Sequence, residues 1–440
     1  MKQKNAFFIL AAALFISSQA LSAVTLLDQN EWKFLVSGFL ETDMTSDSVR
    51  SFTEVMGNNP VDRSNTFAGS NGRTQFSVRN SRLAFTVLPP VQDDWKSKGY
   101  FEFDFLGYDP APPTNSEASF ATNPTLRMRH GYLNLEKNGW SIFAGQTWSL
   151  FGWEPSYVVT TVSVPPAPGI IYQRTPELMV IQKIALSESE NLQWGGAIAR
   201  PSQRDSQTPN LDFGARLTSS RRSSGFASAS GDVSNEAMSL ALTGTRRDFT
   251  TPDSAAVTSA QTHHVGNALA VDFLFPLIAS NDGAIENTLT WTGEYSTGDG
   301  YGDAFPGWSG NLAALPAAGL GVSNETNLDA GQGGFDASGD FHLVKLQTWN
   351  TQLQYHLPSS WHAFVTVGYT ELRSNNAKDL SPIVATKTIY DQSHLTFLNI
   401  FHDCTKQIRV GLEYAEMSTH YIDDVQPIDH RYQISTFFRF

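Results

Sequence analysis

Charged side chains in this chain recur two or three positions apart inside alternating stretches. Arg79 and Arg82 share one stretch, Glu102 and Asp104 the next, and Arg127 and Arg129 a third, while Glu154 and Arg174 sit in a segment rich in aromatics and proline. Guanidiniums facing carboxylates across a gap make and break no bonds. They set up a transverse field that orients and sorts charged solutes. Bond-making chemistry has weaker support. The single cysteine, Cys404, follows His402 and Asp403 in a tight turn, which points to neither a nucleophile nor a metal site. His263 and His264 have no obvious third ligand. Gly307-Trp-Ser-Gly310 misses Gly-x-Ser-x-Gly by one position, so no enzyme is expected. Asp299 and Asp303 open an acidic, glycine-rich segment (298–341) that also holds Asp329, Asp336 and Asp340. Such oxygens could bind Ca²⁺, but the spacing is not that of an EF-hand, and a solvated external loop is the simpler reading.

The elements that would position these charges are strands. In the last residues, Tyr432, Ile434, Thr436, Phe438 and Phe440 alternate with Arg431, Gln433, Ser435 and Arg439; Phe437 alone breaks the polar side. A period of two is a strand with one apolar face. A chain that stops on such a strand makes sense if the strand closes a barrel and turns that face to lipid. At the other end, Lys2 and Lys4 precede an apolar run from Ala6 to Ile16 and small residues up to Ala20 and Ala23. This is the pattern of a signal peptide, residues 1–23, cleaved after Ala20 or Ala23. Residues 24–440 then form one exported domain.

Composition agrees. No later stretch is long and apolar enough for a membrane helix. Aromatics make up 12 % of the chain, enough to furnish girdles at both membrane interfaces. One cysteine allows no internal disulfide framework. Without Lys2 and Lys4, 28 basic residues face 43 acidic ones, a net charge of −15, which argues against nucleic acid as a partner.

The alternating stretches predict an all-β, antiparallel transmembrane barrel of about 16 strands. They fall near 31–42, 73–88, 96–108, 125–136, 139–148, 176–186, 191–201, 211–221, 236–247, 265–276, 285–297, 342–356, 361–371, 391–402, 405–417 and 429–440. Connections on one side are tight, apart from a turn region at 222–234. The eight on the other include the long ones 43–72, 109–124, 149–175, 248–264 and 298–341. Short periplasmic turns and long external loops are the barrel pattern. The third external loop, 149–175, carries Phe151, Trp153, Tyr157, Ile170, Ile171 and Tyr172, which need somewhere to bury. Folding inward against the wall supplies that surface and narrows the lumen.

Parity assigns faces. Leu83, Phe85 and Val87 share one side, so Arg82 takes the other; Phe101, Phe103 and Phe105 turn Glu102 and Asp104 inward. Arg79 also faces inward if the register changes near Asn80, which predicts a bulge. Arg127 and Arg129 share parity with Leu133 and Leu135, so either their strand is bulged or they stand above the membrane at a subunit interface. The expected constriction sets Arg79, Arg82 and Arg127 or Arg129 against Glu154, with Arg174 flanking the loop.

The segments Gly38-Phe-Leu-Glu-Thr-Asp43, Asn80-Ser-Arg-Leu-Ala-Phe85, Gly99-Tyr-Phe-Glu-Phe-Asp-Phe105, Leu126-Arg-Met-Arg-His-Gly-Tyr-Leu133 and Gly145-Gln-Thr-Trp-Ser-Leu-Phe151 follow one another in order. With Asp212-Phe-Gly-Ala-Arg-Leu217 and the terminal Phe440, this succession resembles the DcaP-like trimeric outer-membrane porins over about residues 34–440. The helical segment that often precedes the barrel in that family is not expected, because only about ten residues separate cleavage from the first strand. The resemblance implies a homotrimer in the bacterial outer membrane, contacting lipids and the barrel-assembly machinery through its terminal strand. It also implies passive diffusion of small hydrophilic, often anionic (carboxylate) solutes. Two alternatives stay open: a channel for hydrophobic or aromatic compounds, and a surface-binding barrel.

Overall fold

A computed structural model describes residues 23–107, 125–153, 158–162, 167–203, 206–252, 261–312, 328–380 and 388–440. Residues 1–22 and Glu154 lie outside this set. The strands, in chain order, are β1 (Val24–Gln29), β2 (Trp32–Asp47), β3 (Arg73–Ser77), β4 (Arg82–Leu88), β5 (Lys96–Asp104), β6 (Arg127–Lys137), β7 (Trp140–Trp148), β8 (Arg174–Ala185), β9 (Glu190–Ala199), β10 (Asn210–Phe226), β11 (Ser234–Pro252), β12 (Gln261–Ile278), β13 (Leu289–Asp299), β14 (Gly333–Phe335), β15 (Phe341–Leu343), β16 (Lys345–His356), β17 (Ala363–Ser374), β18 (Tyr390–Asp403), β19 (Ile408–Tyr421) and β20 (Ile428–Arg439).

Eighteen of them form one antiparallel sheet, and β14 and β15 make a separate hairpin. β3 and β4 share one stave, since β2 pairs with β3 through Asp43–Asp47 and with β4 through Lys33–Phe39. β1 folds back on Trp32–Val36 of β2 and stands outside the ring. A closed barrel of 16 staves remains. Closure suits this chain because it leaves no unpaired edge in lipid.

The ring closes between β2 and β20, where Phe39–Asp47 run against Arg431–Arg439. Gly38 N donates to Phe440 O at 2.8 Å and Phe440 N donates back to Gly38 O at 2.9 Å. Phe440 is therefore part of the seam. Tyr432, Ile434 and Phe438 are exposed on the outer face, whereas Phe437 is buried on the inner one. The one break in the alternation is thus an apolar residue facing the lumen.

The register change expected near Asn80 is present. Residues 78–81 separate β3 from β4; Asn80 Nδ2 donates to Asp43 at 2.7 Å, and Glu41 N donates to Ser81 Oγ at 2.9 Å. A second irregularity falls in β6, where Phe103 pairs with Met128 but Glu102 pairs with His130. Arg129 is the extra residue of that bulge, so the strand is bulged rather than displaced above the membrane.

Several connections differ from the sequence expectation. The strand expected at 31–42 runs to Asp47 as β2, an unexpected strand (β1) precedes it, and β11 and β12 extend to Pro252 and from Gln261 into the loop expected at 248–264. The turn expected at 222–234 is shorter: β10 reaches Phe226 and β11 starts at Ser234. It also does not hang into solvent. Phe226, Ala227 and Ala229 are buried against Phe39, Val159, Phe364, Phe401 and Phe437.

Candidate functional site

The described residues of the third external loop (149–153, 158–162 and 167–175) lie inside the barrel, tied down by wall side chains that satisfy their backbone. Gly152 N donates to Thr243 Oγ1 (3.1 Å), Val159 N to Gln352 Oε1 (2.9 Å), Thr161 N to Glu413 Oε2 (2.7 Å) and Ile171 N to Glu294 Oε1 (3.1 Å). Asn399 Nδ2 reaches Val159 O at 2.7 Å, and Asn350 Nδ2 reaches Gly169 O at 3.3 Å. Loop polar groups taken out of water need such partners. The apolar residues find the expected cover: Phe151, Trp153, Ile170, Ile171 and Tyr172 are all buried. Tyr157 lies outside the described residues.

On the opposite wall, β5 and β6 gather the charges. Arg127 clamps Asp104 with two hydrogen bonds, of 3.0 and 2.6 Å. Arg129 donates to Glu102 at 2.5 Å, to Asp104 at 3.1 Å and to the Tyr172 hydroxyl at 3.3 Å. The Tyr100 hydroxyl completes Glu102 at 2.9 Å. The bulge makes this possible, since it turns Arg129 and His130 both inward. Arg82, half-buried on β4, pairs in register with Asp104 and lies 5.3 Å from the centre of the Phe39 ring. Three guanidiniums thus share two carboxylates. Arg129 also links wall to loop through Tyr172. Burial alone would raise that phenol, but the Arg129 and Arg174 charges outweigh it and hold it below the usual tyrosine range.

Of the other expected residues, Arg79 sits apart from this cluster and Arg174 borders it. Arg79 is buried and pairs with Glu54 of the first external loop at 3.2 Å, with Phe105 O at 3.2 Å from its Nε. Arg174 shares parity with the outward Pro176 and Leu178, not with the inward Thr175 and Glu177. Its guanidinium lies over Trp148 (4.9 Å) and Tyr172 (5.6 Å), where β6 and β7 no longer pair beyond Gly131 and Gln146. The acids of the 298–341 segment have separate uses. Asp303 pairs with Arg247, Asp299 accepts from Asn267 N at 2.9 Å, and Asp336 caps its own hairpin. Among the described residues, no three His, Cys, Asp or Glu side chains group as metal ligands would.

Sequence reasoning passed over Lys98, Lys183 and Arg216. All three face the lumen and keep partial exposure. Lys98 Nζ sits 5.9 Å from the Tyr100 ring centre and 5.4 Å from that of Tyr132. Strand parity contained the signal: Lys98 is in phase with Glu102, and Arg216 with Asp212. Around Lys98 the wall turns apolar, with Tyr132, Phe143, Met179 and Ile181 in one cluster.

A scan against protein-family models finds no match, and a search of curated proteins finds no relative. Solved structures do match in fold. The outer membrane channel DcaP of Acinetobacter baumannii aligns with a TM-score of 0.62 at 17 % identity, over 93 % of this chain and 97 % of that one. Salmonella typhi OmpF, solved in complex with daunomycin, aligns with a TM-score of 0.50 at 8 % identity, over 95 % and 100 %. The chain therefore has the fold of outer-membrane channels, as its quoted segments lead one to expect.

Proposed function

We propose that this protein is an outer-membrane porin. It forms a water-filled channel through which small hydrophilic solutes diffuse passively, with a preference for anions such as carboxylates. The observation that carries this is the lumen wall at β4–β6, where Arg82, Arg127 and Arg129 outnumber Glu102 and Asp104. A cationic strip beside a narrowed lumen raises the local concentration of anions and lowers that of cations. Loop three, anchored on the far wall, presses solutes toward that strip.

The barrel works as a homotrimer, reached through a cleaved signal peptide and inserted by the barrel-assembly machinery through its terminal strand. No cofactor and no catalytic step are needed. A second reading, favouring solutes with an aromatic or hydrophobic body, draws on the apolar cluster of Tyr132, Phe143, Met179 and Ile181, which is buried together with Leu150 and Trp153 of loop three and would be reached by a solute that displaces that loop. Planar-bilayer recording of the refolded protein tests both. Anion-selective steps closing in threes support the anionic porin. Block by aromatic solutes, with little ion selectivity, favours the second reading. A folded barrel without conductance refutes a general porin.

A further inference from the structure

The β10–β11 turn is built into the barrel with more contacts than a connecting turn requires. Arg409 Nη1 donates to three of its carbonyls, Ser228 (2.8 Å), Ala229 (3.1 Å) and Gly231 (2.8 Å). Asp403 holds that guanidinium from behind with two bonds, of 2.7 and 2.8 Å, and its plane lies 5.0 Å from the Phe364 ring centre. Arg439 adds Gly231 O at 3.2 Å and Asp232 at 3.3 Å. From the opposite side, Gln354 accepts from Ala227 N at 2.8 Å and donates to Ala227 O at 3.0 Å. Ser224 and Gly225 are tied to Thr290 and Thr288 at 2.6 and 2.9 Å. The turn therefore touches β13, β16, β19 and β20, and packs on Val159 of loop three.

Exposure shows where this leaves room. On β16, β17 and β20 every inward residue is buried, as Gln352, Gln354, Thr366, Thr370, Gln433 and Ser435 illustrate. On β4–β10 many inward residues are buried as well, Asp104, Phe143 and Met179 among them, but Arg82, Thr86, Lys98, Lys183 and Arg216 stay partly exposed on the same side of the wall.

We propose that the β10–β11 turn is a second constriction. It floors the β16–β20 half of the periplasmic mouth and confines the exit to the β4–β10 wall, where Lys98 sets which ions leave. A turn so fixed costs no ordering at each passage, because the clamps are satisfied within the protein. The proposal rests on the channel reading for its consequence, but not for its geometry.

The test uses the full barrel with Cys404 replaced by Ser and single cysteines at Lys98→Cys or Thr366→Cys. A charged, membrane-impermeant thiosulfonate reagent is added, and its uptake is read as added mass and as a change in conductance. Lys98→Cys should be labelled, and an anionic adduct there should cut anion conductance severalfold. Thr366→Cys, fully buried beside Gln354, should stay unlabelled, and become reactive when Arg409→Ala releases the turn. Labelling of Thr366→Cys with Arg409 intact would overturn the proposal, as would an inert Lys98→Cys. If Arg409→Ala does not fold, labelling in the Arg409 background still decides. A barrel with the expected labelling but no conductance would refute the porin and keep the floor.

Discussion

Replacing Arg82 by Gln should weaken anion preference by a calculable amount. The side chain faces the lumen, keeps partial exposure and stands in register with Asp104. An ion passing at about 6 Å in water-like surroundings feels about 0.7 kcal/mol from one charge, and screening at about 0.1 M salt cuts this to about 0.4 kcal/mol. That is about twofold in local concentration for each sign of ion, and so about fourfold in the anion-to-cation ratio. At about 1 M salt, where the screening length falls to about 3 Å, little of the effect should survive. The assay is the reversal potential across a salt gradient, repeated at both ionic strengths. Arg82→Lys serves as the control, since it keeps the charge. An unchanged potential at low salt, or an equal shift at both, would refute placing Arg82 on the conducting path.

Three other predictions concern what holds the site in place. Arg129→Met removes a fully buried guanidinium from Glu102, Asp104 and Tyr172; breaking such a buried pair should cost about 3–5 kcal/mol, read from urea unfolding of the refolded barrel. Glu413→Ala orphans Thr161 N and should loosen loop three by about 1–3 kcal/mol, visible as faster amide exchange there, whereas Glu413→Gln keeps an acceptor and should stay close to the parent. The β14–β15 hairpin should fray in acid. Hydrogen bonds from Asp340 N and then His342 hold the Asp336 carboxyl below its ordinary range. A depressed carboxylate stabilises above its unfolded pKa and loses that contribution as pH falls through the folded one. Exchange of the Ser338 and Asp340 amides should therefore quicken below about pH 4, near the ordinary aspartate value, and Asp336→Asn should abolish the dependence.

Much of this barrel was legible because alternation is a local signal. Tyr432, Ile434 and Phe438 announce their face, the clash of parity around Asn80 announces one bulge, and that between Arg129 and Leu133 leaves a bulge or a rise above the membrane, which the pairing of β5 with β6 decides. The partner of Arg79 was not legible, since Glu54 lies in a long loop that no periodicity places. Arg174 has the outward phase of Leu178, yet its guanidinium lies over Trp148 and Tyr172, a placement that phase alone does not give. The β10–β11 turn was unreadable for a different reason. Its residues are small (Ala227, Ser228, Ala229, Ser230), and nothing local distinguishes a turn bathed in water from one whose carbonyls are met by arginines nearly two hundred positions later.

Those arginines have a consequence for how the barrel is finished. Arg439 belongs to the last strand and Arg409 to the one before it, yet both grip a segment from the middle of the chain. Until β20 is in place, the hold of Arg439 on Gly231 and Asp232 is missing, while Arg409, Gln354, Thr288 and Thr290 can already keep theirs. If the turn is the floor proposed above, completion of the wall also completes the grip on its lower mouth. An insertion intermediate that has not joined its two ends would have a looser floor than the finished barrel, and a lesion at the seam would make the finished barrel leak before it made it unravel.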